Sequence, residues 1–288
     1  MKTLLAIDSG GLFGVGVANW IPKLGNFKFD YYAGISVGSI LATCYAFGME
    51  PEKVRESFNS DFPKRLFVKP GFPQCLNPLR AAVYSNKGAK ELLKEVFGDA
   101  KVKDAKYPLI IVAWNYEKRK EKIFTRKFNG DYLVRDAILA SISAPTYFPF
   151  AIIKNEKQVS EKLGDGVVCG NDSSLAGMAA MKDDGIKTTD IKCLSIGPIG
   201  MQKEKKVDVY TKSDWVPVIV DIITLGNASY NSYAARRLLD DSTDNKKFLR
   251  ITPNTLPQCY LDDFSMLSKI KEAWEAWDHL EAVSFLMG

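Results

Sequence analysis

The sequence predicts an α/β layered fold, and three observations carry that reading. Short apolar, β-rich runs alternate with stretches of helical periodicity over residues 1–200. Two strand-to-helix junctions are glycine-rich, "AIDSGGLFGVG" (6–16) and "YYAGISVGSIL" (31–41). The chain has 288 residues, 46% hydrophobic and 25% charged, which is enough to bury a large core.

In chain order, "TLLAI" (3–7) reads as a buried strand that delivers the first glycine turn into a helical stretch, "VGVANWIPKL" (15–24). "FDYYAGI" (29–35) is the second strand, followed by helices at Ser39–Phe47 and at Pro51–Phe58, with Pro51 suited to a first turn. A helix over Lys87–Phe97 stops at Gly98. "YPLIIVAWNY" (107–116) is a strongly apolar strand, turning into "EKIFTR" (121–126); a helix over Asp136–Ile142 and a strand at "IKCLSIG" (191–197) follow. The mixed-charge stretch "MQKEKKVDVYTKSD" (201–214) is the one seam. It separates a core of residues 1–200 from a mainly helical extension, 201–288, expected to pack on that core within one structural domain. Leu267, Ile270, Trp274, Trp277, Leu280 and Val283 recur at three- and four-residue spacings and predict one C-terminal amphipathic helix. Its polar face carries Glu272, Glu275, Asp278 and Glu281, the wrong sign for anionic lipid, so it should dock on the core.

Charge and cysteine usage exclude some classes. The net charge is +5, but basic residues are scattered among acids, which argues against nucleic acid. A mild positive excess still favours anionic lipid, by roughly 1 kcal/mol per well-placed Lys or Arg. Five cysteines without a C-x-x-C pair argue against a zinc site or a disulfide framework and for a reducing compartment. No apolar run reaches the length of a membrane span. The opening "MKTLLAID" has Lys2 before an apolar run too short for a signal peptide, so it reads as a strand of an unprocessed, cytoplasmic protein.

The chemistry starts at Ser36. "GISVG" (34–38) fits G-x-S-x-G at a strand-to-helix turn, the context in which a serine is held as a nucleophile; the same serine could instead cap the helix. The glycine-rich turn at 8–16 gathers backbone N–H groups into an anion-binding concavity. Asp30 lies twenty residues beyond Gly10, yet Gly10, Gly11, Gly14 and Gly16 do not have dinucleotide spacing. An oxyanion hole fits better. The chain has a single histidine, His279, on the acidic C-terminal helix. A catalytic Ser36 would therefore use a carboxylate as its base. Asp165 in "KLGDGVVCGND" (162–172) is the candidate, although Asp-Gly is also a favoured hairpin turn.

Taken together these stretches resemble the patatin-like phospholipases, in order over residues 1–200. "DSGGLFG" (8–14) is similar to the family's D-G-G-G-x-[K/R]-G loop and "GISVG" to its nucleophile elbow, with Gly34 and Gly38 flanking the serine. "ASISAPTYFPF" (140–150) resembles the block preceding the catalytic Asp, and "DGVVCGN" (165–171) its D-G motif, here Asp165 and Gly166. "YSNKGAKELLKEVFGD" (84–99) and "CLSIGPIG" (193–200) also resemble family segments. The resemblance implies a three-layer α/β/α sandwich with a mainly helical C-terminal part, and a Ser-Asp dyad hydrolase of lipid acyl esters. Neither metal nor cofactor is implied. In that reading Ser36 attacks, Asp165 takes its proton, and the backbone amides of Gly10, Gly11 and Leu12 hold the oxyanion.

Ser9 departs from the family's first loop glycine, tolerable if its φ is negative, and Phe13 from the Lys or Arg. Asp172, where the family often has proline, reads as a lesser change. An acyl entrance is expected at Phe13, Phe67 and Phe72, the last two within a proline-broken candidate lid (61–84) that could equally be a surface connection. The expected partner is membrane or micellar lipid, met peripherally, with no nucleic acid; oligomeric state is left open. The alternative is a latent or catalytically weak lipid-binding signalling module, or an effector switched on by a partner or small ligand through residues 201–288.

Overall fold

Alternation along the first strand sets the layers. In the computed structural model, which describes residues 1–71, 82–155, 157–199, 211, 215, 218–219, 222–240, 246–257 and 259–288, β1 (Lys2–Ile7) sends Leu5 and Ile7 into one apolar cluster and Leu4 and Ala6 into another. A strand buried on both faces reads as a continuous apolar run because helices cover both sides. The Leu5 side carries α1 (Gly14–Trp20), α2 (Val37–Ala46), α3 (Pro51–Asn59), α4 (Phe62–Leu66), α5 (Asn86–Phe97) and α6 (Val134–Ile142). The Leu4 side carries α7 (Ser174–Asp183) and α8 (Asn227–Leu239). Three layers result, as expected.

Among the described residues the sheet has eight strands. β2 (Tyr31–Ile35) and β7 (Ile191–Ile196) flank β1 in parallel, and β8 (Phe248–Ile251) adds in parallel to β7. β3 (Leu109–Asn115) is parallel to β2 and antiparallel to β4 (Lys120–Phe124). β5 (Ala151–Lys154) and β6 (Ser160–Asp165) form an antiparallel pair, and β6 joins β3. The seam at 201–214 lies outside the described residues apart from Thr211. The C-terminal part is mainly helical, as expected, and also contributes strand β8. One correction concerns its end: the predicted terminal helix is two, α9 (Leu267–Ala276) and α10 (Leu280–Met287). At the break the Asp278 carboxylate accepts the Leu280 N–H at 2.9 Å, a local turn just ahead of the second helix, whose N-cap is His279. Docking on the core holds: Ile270 and Trp274 are fully buried, Trp274 meets Trp20 edge-on at 5.9 Å, and a Cβ on Gly16 would strike its indole.

At the opposite edge, buried Glu161 on β6 accepts from Lys118 (2.9 Å), Lys122 (3.0 Å) and Tyr132 (2.7 Å). Burial alone would raise this carboxyl, but those donors outweigh it and hold it down to about 2. A carboxyl depressed on folding stabilises the protein above its ordinary pKa and loses that contribution as pH falls towards the folded value. Urea titrations should therefore show Glu161→Gln destabilised by about 2 kcal/mol at pH 7, with the deficit shrinking below the ordinary carboxyl pKa. A constant deficit would point to packing rather than charge.

Candidate active site

The site is built where two strands meet end to end. Val112 pairs with both β2 and β4, and Ala113 with both β4 and β6. A strand has only two edges, so β2 and β6 must share one edge of β3 and approach head to head. β2 ends with Ile35 opposite Val112, and β6 ends with Asp165 opposite Ala113. Consecutive positions on β3 thus bring Ser36, which follows Ile35, to Asp165, although 129 residues separate them in sequence (165 − 36).

Ser36 sits at φ 54°, ψ −128°, outside the regions a side-chain-bearing residue normally visits; such strain costs about 1–3 kcal/mol. Its side chain makes no capping hydrogen bond to α2, so the helix-cap alternative does not hold. The turn closes only because of its glycines: a Cβ on Gly34 would lie 2.2 Å from the Gly38 carbonyl oxygen, and one on Gly38 2.2 Å from that of Ile7. The Ser36 N–H donates to Ser141 Oγ (2.9 Å), which donates in turn to the Val112 carbonyl (2.7 Å). The carbonyl of Ser143 accepts the Asp165 N–H at 3.0 Å. The end of α6 therefore braces both residues. Sequence reading quoted "ASISAP" but gave Ser141 and Ser143 no role.

Asp165 is 1% exposed. Burial pushes its carboxyl up to about 7, against the pull of hydrogen bonds from the Ser36 hydroxyl and the Val167 N–H; the latter is 2.9 Å long. The Asp-Gly pair is not a hairpin turn. Asp165 closes β6 and caps a 3-10 turn over Gly166–Val168, and a Cβ on Gly166 would meet the Val112 carbonyl oxygen at 2.4 Å.

The glycine-rich loop faces the serine. Gly10, Gly11, Ser36 and Asp165 line one cavity, and among the described residues nothing accepts the N–H of Gly10 or Gly11. Leu12 differs: its N–H donates to the Leu261 carbonyl at 2.8 Å, so the loop offers two amides, not three. Gly11 has φ +52°, and a Cβ there would lie 2.5 Å from that same carbonyl oxygen. Ser9 has no positive φ and donates its N–H to Asn171 Oδ1 at 3.0 Å, so the departure from glycine carries no backbone strain.

Behind the loop lies a buried ion cluster that sequence reading missed. Arg250 on β8 pairs with Asp8 and, at 3.3 Å, with Asp172, and donates to Ser195 Oγ at 2.6 Å. Burial pushes the Asp8 carboxyl up, Arg250 pulls it back, and nearby Asp172 adds to the rise. Asp172 also accepts the Ser174 N–H at 2.7 Å at the start of α7. It is thus a built-in ion-pair partner rather than a lesser change.

The cavity at Ser36 is apolar and small, about 130 Å³. Phe67 lines it, together with Phe148, Ile223 and Leu261. Phe13 does not: it closes the 3-10 turn Gly11–Phe13 just before α1 and is 1% exposed in the main core cluster. Phe72 lies outside the described residues. Phe67 stands in an aromatic cluster with Tyr84 (5.1 Å), Phe148 (5.8 Å) and Phe264 (5.8 Å), and Tyr84 donates to Asp262 at 2.7 Å. Among the described residues no helix is long and apolar enough to cross a membrane.

Comparison with known proteins gives the following. The family described as patatin-like phospholipase matches residues 5–173. A cGAMP-activated phospholipase of Pseudomonas aeruginosa is 28% identical over 193 residues, 62% of this chain and 56% of that one. A cUMP-AMP-activated phospholipase of Escherichia coli is 27% identical over 226 residues, 70% and 66% respectively. Patatin-like protein 1 of Arabidopsis thaliana is 22% identical, covering 89% and 75%. This chain spans little more than half the length of the first of these relatives. Among solved structures, VipD from Legionella pneumophila shares the fold at a TM-score of 0.50 and 14% identity, covering 99% of this chain and 66% of that one.

Proposed function

The chain belongs to the patatin-like phospholipase family, and from that premise we propose that it is a serine acyl hydrolase acting on lipid esters through Ser36 and Asp165. The observation that carries this is the meeting of Ser36, at the end of β2, with buried Asp165, at the end of β6, on one edge of β3, where both line an apolar cavity and burial pushes the Asp165 carboxyl up to about 7. A base poised near the working pH is the efficient one. The chain's only histidine, His279, does not line that cavity.

Ser36 Oγ attacks the ester carbonyl carbon as its proton passes to Asp165, and the Gly10 and Gly11 N–H groups receive the negative oxygen. The tetrahedral intermediate collapses with Asp165 protonating the departing alcohol, leaving an acyl ester on Ser36. Water then attacks that ester, its proton going to Asp165, and Ser36 leaves reprotonated. One oxyanion donor is typically worth about 10²–10³-fold. The substrate is drawn from membranes or micelles by peripheral contact.

A second reading, a latent enzyme that needs a trigger, draws support from the cavity itself. At about 130 Å³ it is smaller than the ~300–1,000 Å³ of ligand clefts, with Leu261 forming part of its wall. Two of the similar proteins are named as nucleotide-activated phospholipases. Fluorophosphonate labelling with site mapping by mass spectrometry, alongside phospholipid turnover, tests the primary proposal. The label should sit on Ser36, and Ser36→Ala should lose both label and turnover. A label on another serine, or turnover surviving in Ser36→Ala, would overturn it.

A further inference from the structure

The two ends of α6 face different cavities. Its last turn carries Ser141, which holds the Ser36 N–H. Its first residues, Arg135 and Asp136, line a separate cleft of about 860 Å³ between α5, the loop before α6, and β5. The cleft and the serine's cavity share no lining residue, yet the one rigid element α6 borders both. β5 and β6 make a second link: Lys154 lines the cleft, and the strand paired with its own ends in Asp165.

The cleft is basic. Five cations line it, Lys90, Lys94, Lys101, Arg135 and Lys154, against two carboxylates, Asp131 and Asp136. Lys101 is paired to Asp131 and Arg135 to Asp99. Among the described residues Lys90, Lys94 and Lys154 form no salt bridge, and Lys90 and Lys94 stand one turn apart on α5. Unpaired cations around a concavity concentrate anions. The volume suits an organic ligand rather than a lone ion, and Leu139 with the 62% exposed Ile152 gives an apolar wall for its uncharged part.

We propose that this cleft binds a soluble ligand bearing phosphodiester groups, of nucleotide size, and that α6 transmits its occupancy to Ser36. The second clause rests on the catalytic reading of Ser36. The shared phosphate chemistry would also suit a phospholipid headgroup. A lipid whose ester lies at Ser36, however, enters from the other end of α6, which favours the soluble source.

The test uses the full chain and Lys90→Glu/Lys94→Glu, two exposed positions outside the catalytic site. Binding of cyclic GMP–AMP and of inorganic phosphate is followed by calorimetry. Binding to vesicles of phosphatidylglycerol is followed by sedimentation, and the rate of fluorophosphonate labelling with and without each probe. The nucleotide should bind the native chain, bind the variant at least about tenfold more weakly because two charge-assisted contacts are reversed, and change the labelling rate of the native chain only. Three results would overturn the proposal: no phosphate probe binding, binding undiminished in the variant, or vesicle binding alone. A labelling rate unmoved by saturating nucleotide would overturn the coupling. In each of these cases basal labelling at Ser36 would leave the hydrolase reading standing, whereas its absence under every condition would remove that reading instead.

Discussion

Asp165→Asn is expected to slow acylation of Ser36 by about 10²–10⁴-fold and, at the same time, to make the protein more stable at pH 8. Both effects come from one fact, that a carboxyl without a cationic partner is buried beside a serine. In the proposed mechanism only the ionised form of Asp165 can accept the Ser36 proton. The acylation rate should therefore rise with pH, follow a single ionisation near the value of about 7 to which burial pushes Asp165, and then level off. The stability effect has the opposite sign. A folded pKa above the ordinary value means the folded state binds the proton more tightly than the unfolded chain. The cost of burying the charge is then absent at low pH, grows as pH rises above 3.8, and is complete beyond about 7. Asparagine never carries that charge, and its side-chain oxygen can still accept the Val167 N–H. The variant should gain on the order of 2 kcal/mol at pH 8 and nothing at pH 3.5. Pre-steady-state labelling across pH and urea titrations at both pH values measure the pair. A variant slowed but no more stable would mean that Asp165 is not a buried, unpaired base.

The parts of this molecule legible in its sequence are those determined within a few residues. β1, β2, β3 and β7 are buried on both faces and so appear as apolar runs. The elbow at Ser36 needs glycines two residues away on each side, and they stand in the sequence as "GISVG". What was not legible depends on partners far along the chain. That Asp165 meets Ser36 follows from β2 and β6 sharing an edge of β3, and no local pattern encodes that; family resemblance had to supply the pairing. The burial of Phe13 is not legible because the same glycine-rich loop that borders the cavity at Gly10 and Gly11 ends in a side chain held in the core. The break between Ala276 and Leu280 is not legible, because the apolar spacing runs across it unbroken. β8 is four residues long, and an arginine in so short a strand gives no sign that it is buried. Only the fold brings Asp8, 242 residues distant, against it.

That arginine carries the other large expected effect. Arg250→Met keeps most of the side-chain volume and removes the charge, which leaves Asp8 and Asp172 buried at the end of β1 and the start of α7 with their cation gone. Removing one partner of a buried ion pair typically costs 3–5 kcal/mol, so the variant should be destabilised by about that amount at pH 7. The deficit should shrink as pH falls, because burial pushes the Asp8 carboxyl up and its protonation removes uncompensated charge. A merely smaller or misshapen core would show no such recovery. Adding Asp8→Asn to Arg250→Met should restore part of the lost stability, since residues in one network do not act additively. Arg250→Lys should fall between, keeping the charge but not the fork that reaches Asp8 and Asp172 from separate nitrogens. The same series separates folding from positioning. Asp8 directly precedes Ser9, Gly10 and Gly11, so a loop released from Arg250 should present its two free N–H groups less rigidly. In protein shown to be folded, Arg250→Lys should therefore lower kcat more than it raises KM, whereas equal loss in both would assign Arg250 to stability alone.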